Sequence, residues 1–269
     1  MVVLLLRCKD LDVNPTRYTP LMLAAMYGHT KTMELLLKGP RLVNKRDPRT
    51  CCSALMLAAI KNKLDAVRML LNHPEIDLNL QEYSSGNTAL IHRAQRGYSG
   101  VVELLLARGA DMEVLQYKTK GTALNIAVCY GQTSIVQTLP EHGADHRRTD
   151  YLGAGILHWA ASTGRPDILR VLLEFDKTLD VNMQDANGKT PLHDTARQGS
   201  IGTATILLET PGLRKIPATP LMAEMASLAR PVNFQLVNIP VPNRTLMSMA
   251  MISRDLMPWK RGLGSSNAN

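Results

Sequence analysis

The sequence predicts an all-α repeat solenoid, and three observations carry that prediction. A ten-residue block recurs six times along the 269-residue chain. Each copy is followed by a second apolar run, and a short Asp- or Asn-containing turn then leads to the next unit. A helix pair of this size cannot bury its apolar faces alone, so neighbouring pairs must stack into one nearly one-dimensional core.

The block first reads TPLMLAAMYG (Thr19 to Gly28), then SALMLAAIKN (Ser53 to Asn62), TALIHRAQRG (Thr88 to Gly97) and TALNIAVCYG (Thr122 to Gly131). GILHWAASTG (Gly155 to Gly164) and TPLHDTARQG (Thr190 to Gly199) complete the series. The closing slot holds Gly28, Asn62, Gly97, Gly131, Gly164 and Gly199, at intervals of 34, 35, 34, 33 and 35 residues. Each block has the chemistry of a short helix. A leading Thr or Ser caps free backbone N–H groups, and proline in the first turn loses nothing because its missing N–H would be unpaired there. Small pairs such as Ala24 and Ala25, or Ala160 and Ala161, allow close helix approach. The closing Gly or Asn suits a left-handed C-terminal cap.

The second runs are MELLL (Met33 to Leu37), VRMLL (Val67 to Leu71), VELLL (Val102 to Leu106), VQTL (Val136 to Leu139), LRVLL (Leu169 to Leu173) and ATILL (Ala204 to Leu208). Each places apolar residues on one helical face. Turns such as DLN (Asp77 to Asn79), GAD (Gly109 to Asp111) and DVN (Asp180 to Asn182) separate the units, and polar tips follow them, clearest at QDANGK (Gln184 to Lys189).

These motifs together resemble the ankyrin repeat, over about residues 1–210. The resemblance implies helix–turn–helix units joined by β-hairpin tips, with a concave face made by the tips and the first helices. It implies recognition of another protein or peptide, without a cofactor and without intrinsic catalysis.

Departures from the pattern set the expected boundaries. Residues 1–18 match only a second helix and its turn, through VVLLL (Val2 to Leu6) and LDVN (Leu11 to Asn14), so a half repeat is expected there. Six repeats follow over 19–210. Pro140 stands where a leucine belongs and is expected to shorten or kink its helix; with Gly153 to Gly155 it marks the candidate position for a bend. Residues 211–256 read as a degenerate terminal unit, PATPLMAEMA (Pro217 to Ala226), with a proline-containing capping segment. A disordered tail is expected over 257–269.

Composition narrows the function classes. Four cysteines, Cys8, Cys51, Cys52 and Cys129, show neither metal-ligand nor disulfide spacing, which reads as a reduced intracellular protein, cytoplasmic or nuclear. MVVLLL is too short for a signal core or a membrane span, and no other segment is long enough. The formal charge of +8 invites a nucleic-acid reading, but the basic residues are spread along the chain and interrupted by acids, as in KRDPR (Lys45 to Arg49). That argues against a dedicated phosphate-binding face. No pattern sets an oligomeric state.

The histidines are the first site candidates. His158 and His193 share one slot with Met22, Met56, Ile91 and Asn125. Stacked elements lie about 10 Å apart and zinc holds ligand nitrogens at about 2 Å, so two equivalent slots cannot share an ion. The resemblance implies instead that this histidine bonds turn backbone. His92 sits one position later, with Arg93 in place of a small alanine, so the third full repeat is locally irregular. Asp194 neighbours His193, but adjacent helical residues do not face each other, and no nucleophile is tied to them by a motif.

The residues just before the closing slot are expected to line a strip on the binding face: Tyr27, Lys61, Arg96, Tyr130, Thr163 and Arg197. Arg46, Tyr83, Tyr117 and Tyr151, with Lys118 and Arg148, add the tips. Tyrosine and arginine supply large contact area and directed hydrogen bonds, so this surface points to an acidic or mixed protein or peptide partner. The alternative is an enzyme or small-molecule binder, with a pocket near His92 and Arg93 or where 211–256 folds back.

Overall fold

The computed structural model describes residues 18–38 and 43–213. The expected half repeat at 1–18, except its last residue, and the expected terminal unit, capping segment and tail from 214 onward lie outside the described residues.

Helices form in pairs where the repeats place them. The first helices are α1 (Pro20–Tyr27), α3 (Ala54–Ile60), α5 (Ala89–Arg96), α7 (Ala123–Tyr130), α9 (Ile156–Thr163) and α11 (Pro191–Gln198). The second helices are α2 (Thr30–Leu37), α4 (Leu64–Leu71), α6 (Ser99–Ala107), α8 (Thr133–Glu141), α10 (Pro166–Phe175) and α12 (Ile201–Glu209). The chain divides into two compact units, Met1–Tyr151 with α1 to α8 and Leu152–Asn269 with α9 to α12.

Local chemistry explains the helix ends. The side chains of Thr19, Ser53, Thr88 and Thr122 each accept from the backbone N–H three residues on, at 3.2, 3.3, 3.2 and 3.4 Å. In the fifth copy Gly155 has no side chain to do this. The imidazole of His158 serves a different donor, its Nδ1 accepting from the Gly155 N–H at 3.2 Å, as His193 Nδ1 does from the Thr190 N–H at 3.1 Å. The closing slot is left-handed throughout, with φ of 77, 79, 71, 68 and 73° at its five glycines and 54° at Asn62. This conformation lets the chain reverse into the second helix while late N–H groups bond back, as His29 does to the Ala24 carbonyl at 2.8 Å.

Within the first unit α1 packs on α3, α3 on α5 and α5 on α7, while the second helices pack in their own row from α2 to α8. In the second unit α9 packs on α11 and α10 on α12. The alanine pairs sit in the tightest positions: Ala25, Ala58, Ala59, Ala127, Ala160 and Ala161 are fully buried. Met33, Val67, Leu70, Leu105 and Leu139 fill the core from the second helices, as do Ile168 and Leu169 in the second unit. Pro140 does not shorten α8, which runs nine residues against eight for α2 and α4. It lies one residue from the helix end, where few further helical bonds remain to be lost, and the chain closes with Gly143 N–H to the Pro140 carbonyl at 2.9 Å.

The β-hairpin tips implied by the resemblance are not present: the described residues contain no β-strand, only one isolated antiparallel bridge between Arg46 and Ser53. A strand pair needs successive rungs, and four of the tips hold a single one each. Asp47 N–H bonds the Cys52 carbonyl at 2.9 Å, Glu82 that of Asn87 at 3.1 Å, Gln116 that of Gly121 at 3.0 Å and Asp185 that of Lys189 at 2.8 Å. Side chains take the bonds a second rung would need. Asp47 Oδ2 accepts from Thr50 N–H at 2.7 Å, and Asp185 Oδ1 accepts from Asn187 and Lys189 N–H, both at 2.8 Å. Tip donors also reach the preceding tip: Tyr83 N–H to the Thr50 carbonyl, 2.8 Å; Tyr117 to Ser85, 2.7 Å; Ala186 to Leu152, 2.7 Å. The tips are therefore stapled turns rather than ribbons.

Candidate partner-binding site

The strip before the closing slot divides by exposure. Tyr27, Lys61 and Arg96 stand exposed at the ends of α1, α3 and α5, and Tyr27 stacks on His29 with ring centroids 6.0 Å apart. Tyr130 is half-buried, and burial raises its phenol pKa above the ordinary value. In the second unit Ser162 and its neighbour Thr163, the latter expected on the strip, are half-buried. Their hydroxyls donate back to the Trp159 and Ala160 carbonyls at 2.9 and 2.7 Å, which turns them inward along their own helix. Arg197 is half-buried too, with Nη2 donating to Asp194 Oδ1 at 2.9 Å. Burial raises the Asp194 carboxyl pKa, and the Arg197 guanidinium opposes that shift.

The tips carry a regularity beyond residue type. Tyr83, Tyr117 and Tyr151 recur every 34 residues in consecutive tips of the first unit and remain 76, 48 and 72% exposed. The backbones of Tyr83 and Tyr117 are held by the tip-to-tip bonds. Tyr117 is held by its ring as well, which lies so close over Gly86 that a Cβ there would meet ring carbons at 2.6 Å. Gly86 has φ +72°, so both space and conformation require glycine. Arg46 is exposed beside the first tip.

Between the third and fourth tips lies a cleft of about 530 Å³, lined by Leu115, Lys118, Lys120, Arg148, Thr149, Asp150 and Tyr151. Lys118 and Arg148 were expected at the tips, but Leu115, Lys120 and Thr149 were not singled out. The signal for Lys120 was its place two residues after Lys118 on one tight turn, closed by Lys120 N–H to the Gln116 carbonyl at 3.0 Å.

The irregular third repeat closes on itself. His92 Nε2 lies 3.5 Å from Glu82 Oε2, with both side chains nearly buried. Ser85 Oγ donates to Glu82 Oε1, and the Cys52 thiol faces Glu82 Oε2 at 3.7 Å. Burial alone would raise the Glu82 pKa. The His92 and Ser85 bonds outweigh it and hold the carboxyl at about 2. Cys52 is pushed up by burial, with Glu82 adding to the effect, so its thiol is a poor nucleophile. Arg93 is fully buried; Nη1 donates to the Ala59 carbonyl at 2.5 Å and the guanidinium carbon lies 4.2 Å over the Tyr98 ring. Burial, and then Arg96, lower its pKa to about 10, so it stays charged at neutral pH. Sequence reading marked His92 and Arg93 as odd but missed Glu82, which comes from the preceding tip.

The histidine slot is backbone-bonding, as the resemblance implied. His158 Nε2 pairs with the Lys189 carbonyl at 3.0 Å, and His193 Nδ1 accepts from the Thr190 N–H at 3.1 Å. Among the described residues no group of three or more His, Cys, Asp or Glu is arranged to hold a metal ion, and no helix is long and apolar enough to cross a membrane. Cys51, Cys52 and Cys129 are free thiols, and burial pushes Cys129 up to about 12.

Segments of the chain are similar to parts of proteins with different names. It is 38% identical over 64 residues to inversin of Danio rerio, covering 24% of this chain and 6% of that protein. It is 43% identical over 53 residues to the palmitoyltransferase Hip14 of Drosophila melanogaster, covering 20% and 8%. It is 40% identical over 60 residues to the 60 kDa lysophospholipase of Mus musculus, covering 22% and 10%. The matches thus span a tenth or less of each of these relatives. The family model for ankyrin repeats in three copies matches residues 1–82, 55–150 and 124–217. With the paired helices, the left-handed closing slot and the backbone-bonded histidines, this places the chain in the ankyrin repeat family.

Proposed function

We propose that this chain is a non-enzymatic interaction module that binds another protein, or an extended peptide with acidic character, on the face formed by its tips and first helices. The observation that carries this reading is the row of Tyr83, Tyr117 and Tyr151. They are large aromatic side chains left exposed at a fixed 34-residue interval, and the Tyr83 and Tyr117 backbones are each bonded to the preceding tip. Exposed tyrosines on a rigid scaffold present contact area at small entropic cost, which is the composition of binding hot spots. Tyr27, Lys61 and Arg96 extend the same surface along the helix ends. Half-buried Tyr130 ends the proposed strip within the first unit, and in the second unit Thr163 and Arg197 are the corresponding, partly satisfied candidates.

Site-specific photocrosslinking tests the reading. A benzophenone amino acid replaces Tyr27, Tyr83, Tyr117 or Tyr151 in turn, with exposed Arg68 on α4 as the control. The reading predicts one shared crosslinked protein from the tyrosine positions and none from Arg68. Crosslinks from Arg68 alone overturn it.

A further inference from the structure

We infer that the cleft between the third and fourth tips is a subsite for carboxylate side chains of an extended acidic peptide segment. The inference rests on the interaction-module reading and names the chemistry that one part of that surface recognises.

Three cations line the cleft, Lys118, Lys120 and Arg148, against one acid, Asp150. Lys118 and Lys120 are exposed and take part in no ion pair among the described residues. Arg148 has only a loose partner, Glu113, with Nη1 3.5 Å from Oε2. Among the described residues the cleft therefore holds more positive than negative charge. Its volume of about 530 Å³ falls within the range of ligand sites and suits a few side chains rather than a folded domain.

The walls are preorganised. Lys120 sits at φ +54° in a turn closed at Gln116, and Thr119 Oγ1 donates to Gln116 Oε1 at 2.5 Å. The tip is tied to its predecessor through Tyr117 N–H and the Ser85 carbonyl. Two lysine ammoniums two residues apart on a fixed turn can meet carboxylates without first ordering a loop. Tyr151 adds an exposed ring at the rim and Leu115 an apolar wall, which suit the hydrocarbon parts of Glu side chains and the peptide backbone.

The surroundings choose a peptide over a nucleic acid. Asp111, Glu113 and Asp145 lie in the turns leading into these two tips. Asp111 and Asp145 accept from the Glu113 and Arg147 N–H groups at 2.8 and 3.0 Å. A phosphodiester chain continuing past the cleft would meet these acids, whereas a short acidic segment can end or turn away.

The probe is a fluorescein-labelled oligo-glutamate peptide, followed by fluorescence anisotropy at low and moderate salt with the full chain. The expected result is saturable binding that weakens with salt and falls about tenfold in Lys118→Glu/Lys120→Glu. Circular dichroism should show unchanged helix content, since both side chains are exposed. Arg68→Glu, on exposed α4 and outside the proposed surface, should leave peptide affinity unchanged. Absence of peptide binding, or equal binding by parent and double variant, overturns the cleft assignment. Tighter binding of single-stranded DNA than of the peptide overturns the choice of ligand. The crosslinking pattern of Tyr27 and Tyr83 is independent of these outcomes, so failure of the cleft and failure of the interaction module remain distinguishable.

Discussion

Arg93 Nη1 donates to the carbonyl of Ala59, 34 residues earlier and one repeat away, at 2.5 Å. The same nitrogen lies 3.3 Å from the Ile60 carbonyl. Arg108, from the second helix of the same repeat, donates to the Leu71 carbonyl and to Asn72 Oδ1. The third repeat thus uses two arginines to satisfy the C-terminal carbonyls of both helices in the second repeat, where positive charge also complements the helix dipole. The second repeat is the one whose closing slot holds Asn62 instead of glycine.

Arg93→Ala restores the residue that other copies carry, yet it should destabilise the chain. It removes the guanidinium bonds to the Ala59 and Ile60 carbonyls, opens a void at a fully buried site and removes the contact with Tyr98. The expected loss is about 2–3 kcal/mol, read by urea denaturation. An unchanged midpoint would show that relief from burying the charge offsets those losses.

Asn62→Gly should act in the opposite direction. Asn62 holds φ at 54° with its Oδ1 buried and unpaired among the described residues. Glycine adopts this conformation without a Cβ penalty, so a gain of about 0.5–1 kcal/mol is expected in the same assay.

Two glycines at nearly equal φ separate backbone strain from crowding. A Cβ at Gly97, φ +79°, would collide with the Gln132 side-chain amide, whereas one at Gly109, φ +77°, meets nothing within 4 Å. Gly109→Ala should cost about 1 kcal/mol. Gly97→Ala should cost more, because Gln132 must also give up its bond to the Gln95 carbonyl. Equal losses in thermal melts would assign the whole cost to φ.

The Glu82–His92 pair predicts a pH window. The Glu82 pKa is about 2 in the fold against an ordinary 4.5, so the folded state binds the proton less readily than the unfolded one. Its stabilisation is fully present above 4.5 and is lost as pH falls from there toward 2. Thermal melts across that window should show a steeper decline for the parent than for Glu82→Gln. Parallel curves would remove the pair as a source of acid sensitivity.

The periodic part of this architecture is legible in sequence because each repeat solves the same burial problem with the same residue types. Ala24, Gly28 and Leu36 can be placed by counting. The tips resist counting because side chains such as Asp47 and Asp185 replace backbone rungs, so a turn that resembles a hairpin never becomes a ladder. The histidine of GILHWAASTG falls in its slot by alignment with the other copies, but its bond to the Lys189 carbonyl of the next tip appears only in three dimensions. Glu82 and His92 belong to different elements, and no spacing rule joins them. Exposure on the strip was read from position alone, which serves for Tyr27 and Arg96. It fails for Thr163, whose hydroxyl donates to the Ala160 carbonyl on its own helix.

The most direct test of the central claim is hydrogen exchange on the chain bound to the protein recovered by tyrosine-position crosslinking. The interaction-module account predicts slowed exchange at the tips around Tyr83, Tyr117 and Tyr151 and at the ends of α1, α3 and α5, with α4 and α6 unchanged. Protection confined to the outer surfaces of α4 and α6, with the tips exchanging as in the free protein, would contradict it.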